Sequence, residues 1–226
     1  MDRHAIDMAG KVIARYHTRN PQEIIDQRKI ELRYTSRFSY LLGYYVIRNH
    51  IEYIGINANA TDAQKRSAKA HELGHVFLDR QSASSGTAFQ DTFLYSQSNA
   101  KSERRANIFA AELLLPDDLV LTSIGYYAYQ NARKKMESRL PSRCSSEYRA
   151  MKYYEMMNEF YSTHPDLETP QEIAHENGIE EHLVDFKLNI LAEKGFELSS
   201  LPELRSDFLK DSMKKYRASA EFHTFT

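Results

Sequence analysis

Two histidines and a glutamate carry the most pointed chemistry in this sequence. They are His71, Glu72 and His75, in the stretch Ala70-His71-Glu72-Leu73-Gly74-His75-Val76-Phe77-Leu78. Imidazole nitrogens are ligands for zinc, and a carboxylate beside such a metal can move a proton. Spacing decides whether the three can act together. On a helix, positions 71 and 75 lie roughly 40° apart and one turn along the axis, so two imidazoles can converge on one ion. Glu72 falls about 60° round from His75, beside the ion rather than behind it. There it can take a proton from a water without filling a coordination position. HExxH on a helix is therefore a hydrolase pattern with a mechanical basis.

A zinc hydrolase site takes three protein ligands and leaves one position open. Asp79 follows His75 by four residues on the same face. It also stands eight residues from His71, about 12 Å along a helix axis, so the two cannot share an ion. The third ligand must come from elsewhere, and a second helix expected over 99–115 offers Glu103 and Glu112. Glu103, Ala106, Asn107, Ala110 and Leu114 form one stripe, whose small members permit close packing on the HELGH helix. Glu112 lies about 180° from Glu103 and faces away. Glu103 is thus the third ligand. Asn107, one turn on, is placed to hydrogen-bond the outer nitrogen of a ligand histidine or Glu103 itself.

The elements that must position these residues are legible in outline. Residues 2–19 show helical spacing of Ile6, Ala9, Val12, Ile13 and Tyr16. Asn20-Pro21 reads as an N-cap and first helical residue, opening a short helix through Ile24 and Ile25. Residues 29–35, 40–48 and 51–57 are rich in β-formers, with Asn49-His50 as the turn of a hairpin joining the last two. Thr61 caps a helix over 62–79. Gly74 inside it costs about 1 kcal/mol relative to Ala, which close approach of another backbone would explain. A short strand is expected over 89–95, and Pro116 ends the second ligand-bearing helix.

Composition narrows the function classes. With 42% hydrophobic residues the chain can build a core, and its formal net charge of −1 marks neither a nucleic-acid binder nor a polyacidic protein. The single cysteine, Cys144, excludes an intramolecular disulfide and a cysteine-rich zinc ribbon. No apolar leader or membrane-spanning run is evident, so a cytoplasmic protein with no membrane role is expected. Residues 119–164 are rich in tyrosine, and 131–157 carry seven Lys/Arg against three Glu. Helix is expected over 145–161. From 169, Thr169-Pro170 caps one helix, Gly178 supplies a turn and a second helix runs over about 180–194, the punctuation of a helix-turn-helix. Residues 165–226 hold thirteen acidic against seven basic side chains, which argues against direct nucleic-acid binding. His175 and His182 read as surface residues.

HELGHVFL followed by ERRANIFAAELLLP at 103–116 resembles the ImmA/IrrE metallopeptidases. NPQEIIDQRKIEL, the GYYVIRNHIEYIGIN hairpin and the run into AHELGH are similar to that family's N-terminal part. The resemblance covers roughly residues 3–118. It implies an α+β fold: a small, mainly antiparallel sheet packed on a zincin-like HExxH helix and a second ligand-bearing helix, with a mostly helical C-terminal part. The expected organisation is a metallopeptidase domain over 1–118, a Tyr-rich helical insertion or linker over 119–164, a helix-turn-helix-like unit over 165–205 and a tail over 206–226. By motif position it implies His71, His75 and Glu103 as ligands of Zn2+ and Glu72 as the catalytic base, a gluzincin-like set. The implied activity is a zinc endopeptidase of a phage, mobile-element or stress-response system that cleaves a helix-turn-helix repressor and so induces genes. The alternative is a non-proteolytic zinc-containing regulatory protein acting through its C-terminal helices. An intact Glu72 argues against that, since a structural zinc needs no general base.

Overall fold

The computed structural model describes residues 2–37, 41–80, 97–198 and 201; the strand expected over 89–95 and the tail over 206–226 lie outside the described residues. Its elements run α1 (Arg3–Tyr16), α2 (Pro21–Arg28), β1 (Glu31–Thr35), β2 (Gly43–Arg48), β3 (Ile51–Asn57), α3 (Asp62–Leu78) and α4 (Gln97–Leu114). They continue with α5 (Asp117–Ser123), α6 (Tyr126–Ser138), α7 (Ser146–Thr163), α8 (Pro170–Glu176) and α9 (Glu181–Glu193). The fold is α+β with a helical C-terminal part. Two compact units emerge: Met1–Pro116 with Pro170–Glu193, and Asp117–Thr169 with the described residues from Lys194 on.

Local chemistry sets the boundaries in the first unit. Asn20 accepts from the Gln22 amide at 3.0 Å with Pro21 at the first helical position, which starts α2. Thr61 accepts from the Gln64 amide while the Gln64 side chain accepts from the Thr61 amide, a full capping box that starts α3. Asn49 and His50 both take positive φ, 50° and 65°, as a two-residue β-hairpin turn requires.

That hairpin pairs β2 with β3 antiparallel, from Gly43 opposite Ile56 to Arg48 opposite Ile51. The sheet is nevertheless mixed rather than mainly antiparallel. Its order is β1-β3-β2, and β1 joins β3 in parallel, Glu31 opposite Tyr53 through Thr35 opposite Asn57. A hairpin fixes only its own pair, and β1 takes the other side of β3. Tyr45, Val46, Ile54 and Ile56 are buried in the sheet, and α3 packs against β2 and β3.

On its other side α3 meets α4, which also receives α1 through Ala5, Ala9 and Val12 and α9 through Leu183, Val184 and Leu188. Buried Ala106, Phe109, Ala110 and Leu113 make α4 the central helix of this unit. In the α9 interface the fully buried Lys187 ammonium donates to Glu112 Oε2 at 2.7 Å, so Glu112 does face away from the Glu103 side.

The second unit is helical. Val120, Leu121, Ile124, Tyr129, Met156, Met157 and Phe160 form its core, with the hydroxyls of Tyr129 and Tyr153 2.8 Å apart. Of the tyrosines over 119–164, Tyr129 is buried, whereas Tyr127, Tyr148 and Tyr154 are exposed. Among the described residues, no helix is long and apolar enough to cross a membrane.

Candidate metal centre

The capping box fixes the start of α3, and three turns on the helix presents His71 and His75 toward α4. The two helices touch closely because Gly74 has no side chain. A Cβ there would fall 2.7 Å from Ala106 Cα and 3.1 Å from its carbonyl oxygen. The backbone of α4 thus occupies the space a side chain would need, one residue before His75. This closeness brings Glu103 to the histidines.

His71 Nε2 lies 3.1 Å from His75 Nε2 and 3.0 Å from Glu103 Oε2, and His75 Nε2 lies 3.4 Å from Glu103 Oε1. Two zinc–ligand bonds of about 2.0–2.1 Å at the tetrahedral angle put their donor atoms about 3.3 Å apart. The spacing of the three side chains therefore fits a zinc ion, with two imidazole nitrogens and one carboxylate as the donor set. Among the described residues these three form the group able to hold a metal, with one ligand atom from each within 4.8 Å of the others.

The outer nitrogens are also committed. His71 Nδ1 lies 2.8 Å from Asn107 Oδ1, a carbonyl oxygen that accepts its proton and leaves Nε2 free. His75 Nδ1 lies 3.0 Å from Asp79 Oδ2. Asp79 is held in turn by the Ser102 hydroxyl, which donates to Oδ2 at 2.6 Å, and by Arg105, which donates to Oδ1 at 3.2 Å and to the Leu78 carbonyl at 3.1 Å. Asn107 stands where helix geometry put it. Asp79, which cannot share the ion with His71, sits behind His75 as its orienting carboxylate. Ser102 and Arg105 were not legible as site residues; the one signal was the i,i+4 spacing of His75 and Asp79.

Electrostatics follow from these contacts. Burial disfavours a charge on His75, yet hydrogen bonds to Asp79 and Glu103 and the charges of Glu72 and Glu103 outweigh it and push its pKa up to about 10. Burial alone would raise Asp79 and Glu103. Their bonds to the histidines, and that of Asp79 to Ser102, win instead and hold both below the ordinary carboxylate range. Without metal, the cluster is cemented by a proton on His75.

Glu72 is buried beside the pair, 5% exposed, and the start of β2 rests on it. A Cβ at Gly43 would come within 2.8 Å of Glu72 Oε1. A cavity of about 240 Å3 opens over His71, Glu72, Glu103 and Asn107, walled by Leu42 and Gly43 and by Glu180 and His182 from the turn into α9. His182 is half exposed, as a surface residue should be, but the surface it occupies is the rim of this cleft. Burial, with His71 adding and Glu180 opposing, holds its pKa below that of an ordinary imidazole.

The family model for the IrrE N-terminal-like domain, peptidase M78, matches residues 25–160. The chain belongs to this family. The match takes in the sheet, α3 and α4, and so the whole His71–His75–Glu103 cluster. Among curated proteins, the chain is similar to an uncharacterized immunity region protein 2 of Bacillus phage phi105, 34% identical over 111 residues. That stretch is 49% of this chain and 67% of the phage protein. Peptidase M78 is a metallopeptidase family, and in this chain two histidines and a glutamate bring donor atoms within 3.0–3.4 Å of one another.

Proposed function

We propose that this M78 chain is a zinc-dependent endopeptidase of a phage or mobile-element regulatory system, and that its substrate is a repressor of the helix-turn-helix type. The observation that carries the catalytic half is the convergence of His71 Nε2, His75 Nε2 and Glu103 within 3.0–3.4 Å of one another, with Glu72 buried alongside. The regulatory half is supported by the likeness to a protein named for the immunity region of a phage.

His71, His75 and Glu103 are the proposed ligands, oriented by Asn107 and Asp79. Zinc held by them supplies a Lewis acid that acidifies a water and polarises a peptide carbonyl. Glu72 is the general base: it takes the proton of the attacking water and passes it to the leaving amine. Its side chain lies against Gly43 at the start of β2, where a Cβ would collide with it, and lines the cleft over the three ligands. Asp79 and Asn107 keep protons on the two Nδ1 atoms, so both Nε2 lone pairs face inward.

The test is incubation of zinc-loaded protein and its Glu72→Gln variant with candidate helix-turn-helix repressors encoded beside the gene. The expected result is loss of full-length repressor with the unaltered protein alone. Equal cleavage by both would remove Glu72 from the mechanism; cleavage of none by either would overturn the proposed substrate class.

A further inference from the structure

The helix-turn-helix-like segment belongs to the same compact unit as the metal centre, and three contacts seat it there. Arg66 donates to the Asn177 carbonyl at 2.7 Å, and the Glu180 amide donates to Ser67 Oγ at 2.9 Å. Lys187 binds Glu112 at 2.7 Å further along α9. Ser67 lies one turn before His71 on α3, so a chain pinned there at Glu180 projects its next residues over the His71 side of the cleft. His182 is the residue that reaches the wall of the cavity.

The cleft is rich in negative charge. Glu72, Glu103 and Glu180 all line it, and all are acceptors only when ionised. A peptide carbonyl attacked there builds negative charge on its oxygen, which zinc at the three ligands would meet on one side only, with the carboxylates of Glu72 and Glu180 nearby. A hydrogen-bond donor aimed at that oxygen from the other side would add to the stabilisation. The nitrogens of His71 are engaged, Nδ1 with Asn107 Oδ1 and Nε2 with the ligand cluster. His182 makes no hydrogen bond among the described residues. Its Nδ1 stands 3.8 Å from Glu180 Oε2, beyond hydrogen-bond length, which leaves Nε2 for a ligand. A neutral imidazole carries one N–H, and an acceptor oxygen arriving at Nε2 selects the tautomer with the proton there.

We propose that His182 is a catalytic residue of this site, donating from Nε2 to the scissile carbonyl oxygen as its negative charge develops. The α8–α9 segment is then the wall that carries this donor over the metal centre, rather than a nucleic-acid reader. No bond forms or breaks at His182; the proton stays on nitrogen. The assignment rests on the metallopeptidase reading above.

The experiment compares His182→Leu, which keeps the bulk and loses the donor, with His182→Gln, which keeps an N–H donor. Three quantities are measured on zinc-loaded full-length protein: zinc content, affinity for a phosphinic pseudopeptide and for acetohydroxamate, and kcat and KM on a cleaved protein substrate. The phosphinate mimics the tetrahedral oxygen; acetohydroxamate reports the metal alone. In His182→Leu, kcat should fall about 10²–10³-fold with KM within a few-fold, the loss expected for one such donor. Phosphinate affinity should fall in parallel, acetohydroxamate binding and zinc content should hold, and His182→Gln should recover part of both losses. Unchanged kcat and phosphinate affinity in His182→Leu would overturn the assignment, as would losses that His182→Gln does not recover at all. An unaltered protein that holds zinc but binds neither probe and cleaves nothing would overturn the peptidase reading itself, and the assignment with it.

Discussion

Replacing Gly74 with alanine pits helix propensity against helix packing. In an exposed helix interior Gly→Ala stabilises by about 1 kcal/mol. Here the new Cβ would meet Ala106 Cα at 2.7 Å, Ala106 Cβ at 3.0 Å and the Ala106 carbonyl oxygen at 3.1 Å, all rigid parts of α4. Carbon atoms rest at about 3.5–4.0 Å, so the helices must separate by roughly 0.8 Å. Overpacking of this kind costs about 1–3 kcal/mol, which offsets the propensity gain and leaves Gly74→Ala neutral to about 2 kcal/mol less stable. The metal centre is the finer gauge. Metal–ligand distances tolerate about 0.2 Å, while Glu103 sits one turn from Ala106 on the helix that must retreat. Zinc affinity should fall at least about tenfold, the scale seen when ligand-supporting residues are disturbed. Thermal denaturation of the metal-free protein and competition with a chromophoric chelator read the two effects. A variant about 1 kcal/mol more stable with unchanged zinc affinity would refute the argument that α4 backbone fills the place of a side chain at 74.

Four further outcomes follow from the contacts described above. Asp79→Asn keeps shape but removes the charge behind His75, and should weaken zinc binding about 10–100-fold by chelator competition; unchanged affinity would deny Asp79 its orienting role. Folding of the metal-free protein should depend on pH with a definite sign. His75, raised from 6.5 to about 10, contributes fully below pH 6.5 and loses its contribution as pH rises through about 10, whereas Asp79 and Glu103, depressed from 3.8 and 4.5, lose theirs as pH falls below those values. Zinc must displace the His75 proton, so calorimetry near pH 7.5 in buffers of different ionisation enthalpy should show release of about one proton per zinc; no buffer dependence would contradict the protonated cluster. Finally, Lys187→Met strips the lysine partner from the largely buried Glu112 and should cost about 3–5 kcal/mol, with much of it regained in Lys187→Met/Glu112→Leu, measured by denaturant unfolding.

The clustering of His71, His75 and Glu103 was legible because its logic is local. HExxH brings two imidazoles to one face through one helical turn, and a single stripe on α4 turns Glu103 toward them and Glu112 away. The hairpin was legible for the same reason, since Asn49-His50 tolerates the positive φ that the turn demands. What escaped was long-range. The parallel edge β1 pairs with β3 across more than twenty residues, and nothing in ELRYT favours one edge or direction over another. The seat of α9 rests on Ser67–Glu180, Arg66–Asn177 and Glu112–Lys187, polar pairs far apart in sequence with no period to announce them. His182 was therefore indistinguishable from an ordinary surface histidine. In the Tyr-rich stretch, α5 and α6 pack through Val120, Leu121, Ile124 and Tyr129, and the tyrosines around them masked that pattern.

The most direct test of the central claim pairs zinc content with cleavage in Glu72→Gln and Glu103→Ala. One zinc per chain should be retained in Glu72→Gln with cleavage abolished, while Glu103→Ala should lose both the metal and the activity. Zinc lost from Glu72→Gln, or held undiminished by Glu103→Ala, would contradict the division of roles between base and ligand on which the account stands.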